Sequence, residues 1–199
     1  MKREAQLEKT HKAILDAART LFLSRGYQGT STRDIAKAVG ITQPALYHHF
    51  ADKEVIYLQV IQTVGGEIKD AIDAINQKGT AILPEERLVR ITQVLTDKHP
   101  RDIFTVIHSS FADLKRENMG QLGMIFQTDY VTPIENYFES EDVQLRQNIQ
   151  PKQAAEFYIT SLSPLFSRFH QIGGVSLTQR EHIRLLLDLI LHGLVSDKS

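Results

Sequence analysis

T-S-T-R-D-I-A-K-A-V-G-I-T-Q-P-A-L-Y-H-H-F, from Thr30 to Phe50, reads as two short helices joined by a tight turn. Ser31 can cap the first helix, and Asp34 stands three residues on, as a capping box requires. Ile35, Ala36 and Val39 follow at helical spacing. Gly40 comes next, the residue that most readily takes the left-handed turn at a helix end. Ile41 is an apolar residue within the turn. Thr42 can cap the second helix, and Pro44 falls in its first turn, where a missing N–H costs little. Ala45, Leu46 and Phe50 form a narrow apolar edge, which leaves Gln43, Tyr47 and His48 facing outward. This is the pattern of a helix-turn-helix, whose second helix enters the DNA major groove. Gln can read adenine with two bonds, and Thr, Tyr and His can bond phosphates or base edges. The same letters also fit an ordinary angled pair of helices.

Flanking sequence decides between the two. Upstream lie A-A-x-x-L-F (Ala17 to Phe22) and G-Y-x-x-T-S (Gly26 to Ser31). Then follow I-A-x-x-V-G-I (Ile35 to Ile41), L-Y-x-H-F (Leu46 to Phe50) and K-E-x-I (Lys53 to Ile56). With these motifs in this order, the run from about Ile14 to Ile61 resembles the DNA-binding domain of the TetR/AcrR family of bacterial transcriptional regulators. The resemblance covers roughly the first quarter to third of the chain, with no comparable motif beyond Ile61. It implies an all-α fold of about nine helices. An N-terminal three-helix helix-turn-helix domain (1–52) would precede a C-terminal helical ligand-binding and dimerisation domain (53–199). It also implies a regulator, most often a repressor, that binds a palindromic operator as a homodimer and answers to a small molecule. Carried onto this sequence, Thr32, Thr42, Gln43, Pro44, Tyr47, His48, His49 and Lys53 become the DNA-contacting set, with Thr32, Thr42 and Lys53 on phosphates. The Gln43-Pro44 pair departs from the small or charged residues of many relatives, so the base preference stays open.

The chain has 199 residues and no Cys, which excludes disulfides, thiolate metal sites and thiol redox chemistry. No apolar run approaches the ~18 residues of a membrane span, and the first ten residues are charged, without an apolar signal core. A cytoplasmic protein with no membrane partner is expected. Net charge is −1, unevenly spread. Residues 1–60 carry nine Lys/Arg against six Asp/Glu, and the remainder fourteen against eighteen. The positive end is the helix-turn-helix end, a weak point in favour of phosphate contact. Lys2, Arg3, Lys9 and Lys12 give helix 1 a basic start.

Further along, a helix from Lys53 to Asn76 carries Val55, Leu58, Ile61, Val64, Ile68, Ile72 and Ile75 as one stripe. Gly65-Gly66 interrupts it, and each Gly costs about 1 kcal/mol against Ala in a helix interior. The pair reads as a bending point, as close packing against a neighbour, or as a break. Leu88, Ile91, Val94 and Leu95 form the inner face of the next helix, which Pro84 opens. A long helix from Asn118 to Phe138 should kink at Pro133. The last two helices should run over 151–171 and 178–195. The final one is apolar on two sides, which asks for a second subunit. Leu165, Phe169, Leu185, Leu186, Leu189 and Ile190 are the candidate dimer residues. Phe104, His108, Phe111, Phe126, Tyr130, Tyr158, Phe166 and His170 are the candidate walls of the small-molecule cavity. His108 is expected to be a buried, satisfied histidine.

No catalytic motif is present, no Asp/Glu/His group has metal-ligand spacing, and no cofactor is implied. Adjacent His48 and His49 cannot share a metal in the i, i+4 manner. The reading from another class is a helical interaction module whose helix-turn-helix binds protein instead of DNA.

Overall fold

The computed structural model describes residues 2–166 and 173–192. All regular structure among them is helical. Helix α1 (Lys2–Arg25), α2 (Thr32–Val39), α3 (Gln43–Tyr47) and α4 (Lys53–Asn76) come first, followed by α5 (Pro84–Lys98) and α6 (Ile103–Phe111). Helix α7 (Arg116–Ile125) runs through a π-helical segment (Phe126–Val131) into α8 (Thr132–Phe138). Helices α9 (Pro151–Ser161) and α10 (Gln179–His192) complete the set. No helix among the described residues is long and apolar enough to cross a membrane.

Contacts divide the chain into two compact units. The first comprises Met1–Gly65 with Thr105–Phe126, the second Gly66–Phe104 with Gln127–Ser199. The division at 52/53 is one of proposed role and follows a different criterion from compactness.

In the first unit, Ile14, Ala18 and Phe22 of α1 pack with Ile35 of α2, Leu46 of α3 and Ile56, Tyr57 and Ile61 of α4, all buried. Phe22 meets Tyr57 edge-on at 5.1 Å between ring centroids, and Tyr27 lies 4.9 Å from Tyr57. Val55, expected on the α4 stripe, is 41 % exposed. Its place inside is taken by Glu54, which faces the start of α7. There Glu54 accepts from the Lys115 backbone N–H at 3.1 Å and from the Asn118 amide. A carboxylate at a helix N-terminus satisfies orphan donors and complements the dipole.

In the second unit, α5 packs on α10 and α8 on α9. Two stretches differ from the periodicity reading, and the start of α10 agrees with it. Pro133 produces a π-helical stretch just before it, because its ring crowds the preceding turn and its missing N–H frees a carbonyl. The Pro133 carbonyl accepts from the Asn76 amide at 2.9 Å. Helix α9 ends at Ser161, and Ser163–Leu165 is a 3-10 turn around Pro164, so the helix expected over 151–171 is interrupted after Ser161. Helix α10 starts at Gln179 behind a Thr178–Glu181 capping box. Helix α4, by contrast, passes unbroken through Gly65-Gly66, which excludes a break there. A Cβ on Gly66 would meet nothing within 4 Å, so close packing does not explain that glycine.

Four surface carboxylates tie local structure to pH. The Ser31 hydroxyl and N–H hold Asp34 below the ordinary carboxylate range, and the Thr178 hydroxyl and N–H do the same for Glu181. Hydrogen bonds from Lys115 and Arg180 lower Asp52 and Glu86. A depressed folded pKa means that the unfolded chain binds protons first as pH falls. The stabilisation is therefore complete above about pH 5 and is lost as pH drops through the lowered folded values. Urea midpoints should stay level from neutrality to about pH 5 and then decline. The Ser31→Ala, Thr178→Ala double variant should show a shallower decline.

Candidate nucleic-acid interface

Helix α2 is fixed at both ends as its letters require. The Ser31 hydroxyl accepts from the Asp34 N–H at 3.1 Å, and the Asp34 carboxylate accepts from the Ser31 N–H at 3.0 Å. At the other end Gly40 takes φ 76°, a left-handed conformation that a side chain would strain. Helix α3 then starts behind Thr42, whose hydroxyl accepts from the Ala45 N–H at 3.3 Å, with Pro44 in the first turn. Leu46 is its one fully buried side chain. Gln43, Pro44, Tyr47 and His48 lie on the exposed side. No acidic residue stands on α3, so nothing on it repels phosphate.

The exposed side chains are not independent. Gln43 Nε2 donates to Thr32 Oγ1 at 2.9 Å, and the Thr32 and Tyr47 hydroxyls share a hydrogen bond at 3.2 Å. Thr32 itself is only 7 % exposed. Its hydroxyl, expected on a phosphate, is engaged within the chain. His49 is half-buried, with its ring 6.1 Å from that of His11, and His11 stacks on Phe50 at 4.3 Å. His49 thus sits beneath α3 beside α1, while His48 is exposed. Lys53 places its ammonium 3.9 Å from the centre of the Tyr27 ring. Burial pushes its pKa down and Asp113 opposes that shift. Lys9 and Lys12 are exposed on α1; the Lys2 and Arg3 side chains lie outside the described residues.

The candidate cavity residues fall in both units. Phe104, Tyr130, Tyr158 and Phe166 belong to the second unit, whereas His108, Phe111 and Phe126 belong to the first, and His170 lies outside the described residues. Tyr158 is fully buried and bonded to Thr92 at 2.7 Å. Tyr130 is fully buried and bonded to His99 Nε2 at 3.0 Å. Among the described residues the buried histidine is His99; His108 is exposed. An apolar groove of about 360 Å³ lies between α5 and α10, lined by Leu83, Val89, Leu187 and Leu191 with Glu86 and Arg184 at its edge. Glu86 accepts from Arg90, Arg180 and Arg184.

On α10, Ile183, Leu186 and Leu187 are buried within the single chain, while Leu185, Leu189 and Ile190 stay half-exposed. Leu186 faces its own core because it lies one helical turn from Ile183, so it leaves the candidate dimer face. Leu165 is half-exposed and Phe169 lies outside the described residues. Phe157 on α9, absent from the sequence-based set, is 61 % exposed. An aromatic that far out on a helix is the signal of an uncovered face.

A capped helix pair, a left-handed glycine between them and a polar, acid-free outer face on the second helix define a helix-turn-helix DNA-binding protein. Residues 14–60 match the family described as "Bacterial regulatory proteins, tetR family". The chain is 25 % identical over 205 residues to the HTH-type transcriptional regulator AcrR of Shigella flexneri, covering 96 % of this chain and 92 % of that one. It is 49 % identical over 49 residues, 25 % of this chain and 26 % of the other, to the icaADBC biofilm operon negative regulator IcaR of Staphylococcus aureus. Its fold is shared with the TetR-family repressor FadR of Thermus thermophilus, solved with lauroyl-CoA, at TM-score 0.55 and 19 % identity, covering 95 % of this chain and 97 % of that one. Residues 14–60 are thus a helix-turn-helix segment of the TetR-family type.

Proposed function

We propose that this regulator is a repressor that binds a palindromic operator as a homodimer and releases or engages it in response to a small molecule. The observation that carries the proposal is α3. It is a short helix seated by Leu46, with Gln43, Tyr47 and His48 on its open side. In this reading Gln43, Tyr47 and His48 meet base edges, with Pro44 against the groove wall. Thr42 and Lys53 meet phosphates, and His49 supports the helix from below. A two-fold dimer sets two such helices about 34–36 Å apart, one turn of DNA. The half-exposed Leu185, Leu189 and Ile190 with Phe157 support a homodimeric surface formed by α9 and α10. The repressor sense is supported by the names of IcaR and FadR, and the small-molecule response by the lauroyl-CoA of the latter. Residues 1–52 are the DNA-binding part and 53–199 the responding part, joined along α4. In this reading Gly65-Gly66 lowers the cost of bending α4. A ligand acts only through different affinity for the two spacings of the recognition helices.

Footprinting on the DNA upstream of the protein's own gene tests this. The expected result is a protected palindrome whose affinity falls steeply as salt rises, since each neutralised phosphate releases counterions. Absence of protection at low salt, on this DNA and on random-sequence duplexes alike, with a folded protein, would overturn it.

A further inference from the structure

We infer that Thr32, on the first helix of the motif, is a positioning residue that fixes which edge of the Gln43 amide faces the DNA. The inference rests on the reading of the chain as a DNA-binding regulator and adds a determinant of its specificity. Thr32 is 7 % exposed, too buried to serve as an open phosphate contact. Its hydroxyl lies 2.9 Å from Gln43 Nε2 and 3.2 Å from Tyr47 Oη. Gln43 and Tyr47 are one helical turn apart on α3, so a single buried hydroxyl on α2 gathers the two outward side chains of the second helix.

The chemistry follows from the inventory of donors. A glutamine amide has two N–H donors on one side and a carbonyl acceptor on the other. Thr32 accepts one N–H, which locks the amide against rotation about its last torsion, where the two flips are otherwise close in energy. The second N–H and Oε1 then lie in a fixed order along the outer face. That order, one donor beside one acceptor, is the complement of adenine N7 and N6 in the major groove. An unlocked amide presents either order and discriminates less. Holding the side chain in advance also removes part of the ordering cost of binding.

The test begins with wild-type protein and a random-sequence duplex pool. Selected duplexes define the preferred site, and Gln43→Ala identifies the position whose base preference depends on Gln43. Affinities are then measured on the four duplexes that differ only at that position. Wild type should prefer adenine by about tenfold or more, the scale of one bidentate pair. Thr32→Val keeps the shape and removes the acceptor, so the preference should collapse to within a few-fold. Thr32→Ser keeps the hydroxyl and should restore it. Thermal melts of both variants monitor folding. A Thr32→Val protein that loses affinity by one common factor on all four duplexes, with its preference intact, would overturn the inference and leave Thr32 a structural residue. So would a Gln43→Ala protein with unchanged preference everywhere. A wild type that selects no sequence would overturn the regulator reading itself, before any variant is made.

Discussion

Leu46→Ala should unseat the recognition helix, lowering stability by about 2–5 kcal/mol and reducing operator affinity to the level of random DNA. Leu46 is fully buried, and it is the one side chain of the five-residue α3 that is. A helix this short has almost no stability of its own, since nucleation consumes what a single turn of hydrogen bonds returns. Packing through Leu46 therefore holds the backbone on which Gln43, Tyr47 and His48 stand. Truncation removes both the transfer free energy and the contacts that fix the helix angle. A misplaced α3 cannot meet successive major grooves in register. Leu46→Met keeps the volume and should cost under about 1.5 kcal/mol while retaining binding. His48→Ala, at an exposed position, should leave stability within about 0.5 kcal/mol of wild type. Urea unfolding and footprinting on the same preparations decide the matter. Full operator affinity in Leu46→Ala would show that α3 is held by something other than this contact.

The helix-turn-helix was legible because its letters act locally. Ser31 with Asp34, Gly40, and Thr42 with Pro44 each specify a cap or a turn through atoms within four residues, and each is found in place. What the letters did not disclose was contact between the helices. Thr32 looked like an open hydroxyl until α3 brought Gln43 and Tyr47 to it. Lys53 looked like a free cation until Tyr27 was found beneath it. In the C-terminal part polar residues stand on apolar stripes. Arg87, Ile91, Leu95 and His99 recur at i+4 and all four are buried. Spacing alone puts Arg87 on the inner face of α5 and His99 just past its end, but polarity argues the other way. The aromatic set is less legible for a related reason: an aromatic at helical spacing fixes a face, and does not say whether that face borders a cavity or a packed core. Tyr130 and Tyr158 border the core, each with a hydrogen-bond partner.

Arg87 carries the second large expectation. It is 1 % exposed, in the first turns of α5, where a cation also opposes the helix dipole. Its guanidinium donates to the Asp142 carboxylate and, at 3.4 Å, to the Ser140 hydroxyl, and lies 5.3 Å from the Tyr137 ring centre. Its Nε is buried without a partner. The ion pair is thus incomplete on the buried side and open to solvent on the other, because the Asp142 side chain is 23 % exposed. Two substitutions separate packing from charge. Arg87→Ala leaves a cavity under Tyr137 and should destabilise by about 3–5 kcal/mol. Arg87→Met fills most of that volume, removes the buried charge and lets Ser140 and Asp142 return to water. It should therefore fall within about 1 kcal/mol of wild type, or exceed it. Urea midpoints at neutral pH measure both. Equal losses for Ala and Met would mean that the Arg87–Asp142 pair stabilises the fold beyond what its volume contributes, and that desolvation is the smaller effect at this site.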